Sequence, residues 1–241
     1  MPIGPEFIHK TKYPHLGRSN QQKGLPQPPL EDPFTGGAVL ELPLAHTPEN
    51  PLKSLIEQRA SLRAFRDEPL TQAELSFLLW ATQGIKRTAE TRSFRNVPSA
   101  GGRHAFETYL LANSVEGLPP GIYRYLAFQH KLQEFIMRPT IGDEILHAAH
   151  DQEFIRKCAA VFMWVAVVER MTWRYEQRGY RYLFLDAGHV CQNLYLAAES
   201  IGCGACAVAA FEDDDMNALL RLDGENQFLI YMGTVGKPRK R

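Results

Sequence analysis

Tyr182–Phe211 reads YLFLDAGHVCQNLYLAAESIGCGACAVAAF. Leu183, Ala187, Val190, Leu194 and Ile201 recur at helical spacing, and Gly202 is the residue at which such a helix stops. The spacing therefore predicts a long helix from about Tyr182 to Ile201. GACAVAAF follows as a short apolar run and reads as a buried strand. A long one-sided helix feeding a buried strand needs a sheet to lie on. AVFMWVAVV, Ala160–Val168, is apolar at every position, which predicts a central strand covered on both faces.

Further pieces surround this pair. AFETYLLA reads as a strand, GIYRY and KLQEFIM as a hairpin, IGDEILHAAH as a helix, and FLIYMGTVG as a last strand. A helix starting at Asp213 or Asp214 turns Met216, Leu219 and Leu220 inward. Thr71 and Glu74 form a capping box, with Leu70 and Leu75 placed for a hydrophobic staple. The helix they start shows Leu75, Leu78, Leu79 and Thr82 on one face and ends at Gly84. Asn50 and Pro51 make a cap and first turn for a helix whose face holds Leu52, Leu55, Ile56 and Arg59. Loose alternation of helices and strands around a hairpin predicts the α+β class. Residues 1–50 carry 9 of the 16 prolines without a sustained period and read as an extended arm, free or wrapped on a partner subunit. Residues 51–241 read as the folded domain.

Net charge is zero, with 27 basic and 27 acidic side chains, so the chain lacks the basic excess expected for nucleic acid or an anionic membrane. Its longest apolar run, Cys158–Val168, is too short to cross a bilayer, which takes roughly 20 residues. MPIGPEFIHK lacks a signal-peptide core, and four cysteines do not suggest a disulfide scaffold, so a cytoplasmic protein is expected. No phosphate-binding G-x-x-x-x-G-K-[ST] and no G-x-G-x-x-G occurs, which argues against nucleotide hydrolysis or a Rossmann-bound dinucleotide.

Several clusters could carry chemistry. EQRASLRAF sets Arg59, Ser61 and Arg63 at alternate positions, so two guanidiniums and a hydroxyl can project to one side and hold a phosphate monoester. The plainer reading is a solvated helix end. PSAGGRH, Pro98–His104, is either a tight turn or a place where bare backbone must approach something flat or anionic. Cys203 and Cys206 form a C-x-x-C that lacks a second ligand pair for zinc, and two small buried thiols are the simpler reading. Asp186, His189 and Asn193 share a helical stripe that is either a functional seam or a satisfied network. TWRYEQRGYRY, with four aromatics and three arginines, suits a loop that closes over a planar ligand, or a surface of snorkelling side chains.

Taken in order, QRASLRAF, PSAGGRHAFE, YRYLFLDAGHVCQNLYLAAESIGCGACAVAAF and FLIYMGTVGKP resemble the flavin-dependent nitroreductase superfamily, closest to its SagB-type branch of azoline oxidase-like dehydrogenases. The resemblance spans Pro51 to Pro238. It implies a three-layer α/β/α sandwich with a mostly antiparallel sheet, and a homodimer with FMN at the subunit interface. It matches Arg59, Ser61 and Arg63 to the phosphate- and ribityl-binding element. Pro98, Ser99, Ala100, Gly101 and Gly102 match the segment lying along the flavin from the other subunit, and Ala207, Val208, Ala209 and Ala210 the loop facing flavin N5. Lys237 and Arg239 fall near C-terminal phosphate-binding cations.

The implied activity is hydride transfer through flavin N5 between NAD(P)H or an organic donor and a small acceptor. Arg174 and Tyr175 match the Lys-Tyr pair of the azoline oxidases, and His104 or Arg103 stand at the expected edge of the site. Arginine stays protonated where lysine can act as a base. Oxidation of azolines in a modified peptide is therefore the alternative, and a flavin-binding protein without turnover a second one.

Overall fold

The computed structural model describes residues 3–34, 36–45 and 51–239. Along the chain lie α1 (Ile3–Lys10), β1 (Val39–Glu41), α2 (Leu52–Gln58), α3 (Gln72–Gln83), β2 (Ile85–Ala89), β3 (Arg92–Arg95), β4 (Phe106–Ala112), β5 (Gly121–Leu126) and β6 (Lys131–Ile136). These are followed by α4 (Ile141–Ala148), α5 (Phe154–Lys157), β7 (Ala160–Val167), α6 (Val168–Tyr175), α7 (Gly179–Ser200), β8 (Gly204–Val208), α8 (Asp213–Leu219) and β9 (Gln227–Gly236).

Because β7 is apolar at every position, it must lie inside a sheet, and it does. The seven-stranded sheet runs β1-β6-β5-β4-β7-β9-β8, and each strand pairs antiparallel with its neighbours. Alternate side chains of β7 serve opposite faces. Phe162 and Trp164 enter a core with Leu78, Leu183 and Leu194 from α3 and α7. Val161, Met163 and Val165 enter a second core with Ile145 and Met216 from α4 and α8. Two cores either side of one sheet make the three-layer α/β/α sandwich that the resemblance implied.

The capping box of α3 forms as its sequence dictates: the Thr71 hydroxyl accepts from Glu74 N–H (3.2 Å) and Glu74 accepts from Thr71 N–H (2.9 Å). Gly84 closes that helix. The expected cap Asn50 lies outside the described residues. On α2, Leu52 and Ile56 stand exposed while Leu55 and Arg59 are half-buried, so the predicted apolar face is only partly covered within this chain.

Three features differ from the sequence reading. TWRYEQRGYRY is helical, contributing the end of α6, a 3-10 turn at Glu176–Arg178 and the start of α7. The buried positions of α6 include the charged Arg170, and this breaks the apolar period that would have marked a helix. A small hairpin, β2–β3, precedes the PSAGG loop. The proline-rich arm also carries structure: α1 forms at its start, and β1 pairs with β6, covering an edge that would otherwise present unpaired backbone.

Between these elements the arm runs over the sheet end and is held by buried charge. Glu107 on β4 accepts from Arg170 (2.6 Å) and pairs with Arg124 (3.1 Å), with all three side chains 7% exposed or less. Arg170 also reaches Asp32 (2.8 Å) and the Pro29 carbonyl, and Arg124 reaches the Asp32 carbonyl. Burial alone would raise the Glu107 carboxyl. Arg170 and Arg124 more than reverse this and hold it below its ordinary value.

Its charge therefore stabilises the fold at neutral pH, and the contribution is lost as pH falls through that lowered value. Glu107→Ala, which strands Arg170 and Arg124, should cost about 3–5 kcal/mol in urea unfolding at pH 7. The gap between variant and wild type should shrink as the pH is taken below the ordinary carboxylate range, where Glu107 itself becomes protonated.

Candidate functional site

The residues singled out in the sequence fall into two groups, held at different places along α7. The first lies beside the sheet edge formed by β8. After α2 the chain turns extended, and Ser61 bridges Ala205 in parallel while Leu62 N–H donates to the Ala205 carbonyl (2.8 Å). On this segment Ser61 and Arg63 are exposed and Arg59 is half-buried. The Arg59 guanidinium lies 5.3 Å from the Tyr195 ring centre, and that of Arg63 lies 5.8 Å from Phe154. Among the described residues neither makes an ion pair, so two permanent positive charges share this short segment with the exposed Ser61 hydroxyl.

The C-terminal tail closes this group. Phe65 bridges Pro238, Arg66 N–H donates to the Lys237 carbonyl, and Arg239 N–H donates to the Ala64 carbonyl. Arg239 remains exposed, whereas the Lys237 ammonium is paired with the Glu74 carboxylate of the α3 capping box. Lys237 thus ties the tail to α3, and its charge is already compensated. In the Ala207–Ala210 segment, Ala207 N–H donates to the Tyr195 hydroxyl (2.8 Å). Val208 ends β8 paired with Met232, and Ala209 and Ala210 lie exposed beyond it.

The second group surrounds the PSAGG loop. Gly101 and Gly102 both take positive φ (59° and 64°), and His104 joins them at 46°. Only Gly enters that region without steric cost, so the paired glycines have a backbone reason. The carboxylate of Asp186 on α7, 3% exposed, accepts the Ala100 N–H at 3.2 Å to each oxygen. The Ser99 hydroxyl accepts the His104 N–H (2.9 Å). Burial pushes the Asp186 carboxyl up and the His104 imidazole down to about 3, so His104 is neutral at physiological pH.

Tyr175 ends α6 directly before Glu176, itself at φ 49°. A Cβ added to Gly101 would lie 2.5 Å from the Tyr175 hydroxyl and 3.1 Å from Arg174 Nε, so both side chains press on the loop backbone. A Cβ on Gly102 would meet nothing within 4 Å. Arg103 turns inward, its guanidinium 4.8 Å from the Trp173 ring and its Nε donating to the Arg170 carbonyl.

The stripe Asp186, His189, Asn193 therefore divides. Asp186 holds the loop, Asn193 donates to the Ala81 carbonyl on α3 (2.9 Å), and His189 is exposed. Cys203 and Cys206 are buried thiols raised by burial, Cys203 to about 11. Among the described residues no group of three or more His, Cys, Asp or Glu could hold a metal ion, and no helix is long and apolar enough to cross a membrane. Tyr195 was not singled out in the sequence, because a tyrosine between core positions of a long helix carries no separate signal.

Fold and site together define an antiparallel α/β/α sandwich with cations at one sheet edge and a bare glycine loop elsewhere on the same helix. The chain belongs to the nitroreductase family, whose sequence model matches residues 56–237. It is 36% identical over 197 residues to MJ1384 of Methanocaldococcus jannaschii, provisionally named a nitroreductase, covering 82% of this chain and 98% of that one. It is 26% identical over 133 residues to the microcin B17-processing protein McbC of Escherichia coli, covering 54% of this chain and 49% of that one.

A solved structure from Anabaena variabilis, also provisionally named a nitroreductase, matches with TM-score 0.67 and 31% identity. That match covers 78% of this chain but only 38% of the other, so the Anabaena protein extends well beyond the shared region. A Desulfovibrio desulfuricans structure described as a nitroreductase in complex with FMN shares the fold at TM-score 0.56 and 18% identity, over 80% of this chain and 88% of that one.

Gly102→Ala should cost about 1 kcal/mol of stability, the strain of a left-handed alanine alone. Gly101→Ala should cost at least about 2 kcal/mol, because its methyl must also displace Tyr175. Equal losses in denaturant titrations would mean that Tyr175 does not press on the loop.

Proposed function

We propose that this protein is an FMN-dependent oxidoreductase. Its cofactor would lie between Arg59, Ser61, Arg63 and the β8 exit of one copy and the Pro98–Gly102 loop of a second copy. The observation that carries the reading is the pair of arginines, without an ion pair among the described residues, on the segment that bridges β8 at Ser61 and Ala205. Arginine's forked donors suit a phosphate monoester, so these residues fit the tail of FMN. Gly102, where an added Cβ would meet nothing, suits a flat ring brought against backbone. Within one chain the two groups sit at separate stations on α7, which favours completion of each site by a partner copy. Phe184 and Leu185 on α7 are 58% and 60% exposed, with Leu52 and Ile56 on α2 at 62% and 57%, and they provide apolar surface for that copy.

Bound FMN would supply hydride transfer between a donor and an acceptor. The protein's own part is narrower. Arg59 and Arg63 bind the anionic tail, and Asp186 holds the loop that limits how the ring lies. Ala209 and Ala210, beyond the strand end, offer main-chain N–H groups toward the ring. Tyr175 sits against the loop as the group able to hold or move a proton at its hydroxyl, while Arg174 beside it stays charged. NAD(P)H is the proposed donor and a small organic molecule the acceptor. A second reading, dehydrogenation of heterocycles in a modified peptide, is favoured by the similarity to McbC.

The test is the visible spectrum of the purified protein with FMN, taken anaerobically before and after NADH or NADPH. Flavin bands that bleach with either nucleotide are expected. Arg63→Glu should lower FMN affinity at least about 100-fold, since it removes one charged hydrogen bond and adds repulsion. An Arg63→Glu protein that keeps full flavin would contradict the tail assignment, and bands that never bleach would favour the peptide reading.

A further inference from the structure

Tyr195 touches three pieces of the cofactor-facing edge that are far apart in sequence. Its ring lies under the Arg59 guanidinium at 5.3 Å, its oxygen accepts the Ala207 N–H at 2.8 Å, and the same oxygen is 2.9 Å from Ser61 Oγ. A main-chain N–H can only donate, so the direction of the first bond is fixed. The phenol has one proton left to place, and of the two acceptors beside it Ser61 Oγ is stronger than the Cys206 sulfur. A Ser61 oxygen that accepts from Tyr195 keeps its own proton free to turn outward from this exposed edge.

We infer that Tyr195 is a positioning residue that polarises Ser61 into a dedicated hydrogen-bond donor, so that this edge selects a ligand presenting an oxyanion there. The relay runs Ala207 N–H to Tyr195 O–H to Ser61 O–H to the ligand oxygen. Every donor on that line runs toward the same outer oxygen, and Arg59 adds its charge from the face of the Tyr195 ring. A hydroxyl without such a partner would serve a neutral group equally well; this one, its oxygen already accepting, is left to donate, which serves an anion. The inference rests on the flavin reading only in naming FMN as the ligand, since the relay itself requires no more than a phosphate oxygen.

Tyr195→Phe keeps the ring beneath Arg59 and removes only the hydroxyl, so the variant should melt within a few degrees of wild type. Titrations would use FMN, riboflavin and inorganic phosphate with wild type, Tyr195→Phe, Ser61→Ala and the double variant. The relay predicts an FMN Kd raised about tenfold in Tyr195→Phe, with riboflavin, which has no phosphate, nearly unaffected. Ser61→Ala should do the same, and the double variant should be no weaker than the weaker single one, because the tyrosine acts through the serine.

Equal weakening of riboflavin and FMN would assign Tyr195 a merely structural role and overturn the relay, as would additive losses in the double variant. If wild type ignores FMN but is stabilised by inorganic phosphate, and Tyr195→Phe is not, the relay stands and the flavin reading falls. If wild type binds neither FMN nor phosphate, the relay is wrong.

Discussion

A helix does not stretch, and that constraint organises this protein. Asp186 and Tyr195 are nine residues apart on α7, hence about 13 Å along its axis. One grips the backbone of the glycine loop; the other gathers the Arg59–Ser61 segment and the exit of β8. The spacing between loop and cationic edge is therefore set by the helical rise and not by flexible connections. α7 is itself fixed by Leu183, Val190 and Leu194, which pack on the sheet with Phe162 and Trp164. Each half of the proposed site is thus rigid within one chain.

Buried charge secures the other side of the loop. Arg103, Arg124 and Arg170 are each 6% exposed or less, and main-chain carbonyls take up much of their donor capacity. Those carbonyls belong largely to residues 29–32, so the arm is part of the shell that keeps Arg170 and α6 in place. Trp173 extends the link: its indole N–H donates to the Leu25 carbonyl, and its own carbonyl accepts the Gln21 N–H. Tyr175, two residues on, is thereby anchored through the arm as well as through α7. Stranding any of these arginines in the interior would cost far more than an exposed ion pair returns, so the arrangement resists piecemeal change.

Much of the fold was legible in the sequence because its signals are local. The all-apolar β7, the one-sided α7 stopped at Gly202 and the Thr71–Glu74 capping box each describe their own surroundings. What could not be read depends on distant partners. β1 exists because β6 leaves an edge to cover, and α6 hides its period because Arg170 is buried only by virtue of Glu107 and Asp32. For the candidate site, alternation singled out Arg59, Ser61 and Arg63 on one short segment, and the paired glycines marked the loop. The stripe through Asp186 was visible, but not that Asp186 alone faces the loop while Asn193 serves α3. The resemblance set Lys237 near phosphate-binding cations, and only the fold brings Glu74 beside it. Tyr195 carried no signal at all, since its importance lies wholly in what three other segments place around it.

The claim that one flavin is held by two copies can be tested by mixing subunits. One partner would carry Arg63→Glu, which spoils the cationic edge, and the other Gly101→Ala, which spoils the loop. The account predicts that neither protein alone retains FMN. Co-refolded dimers should regain it, because each mixed dimer contains one site with both halves intact. Failure of the mixture to regain flavin, with mixed dimers demonstrably formed, would contradict the shared site. So would a wild-type monomer that sediments with FMN bound.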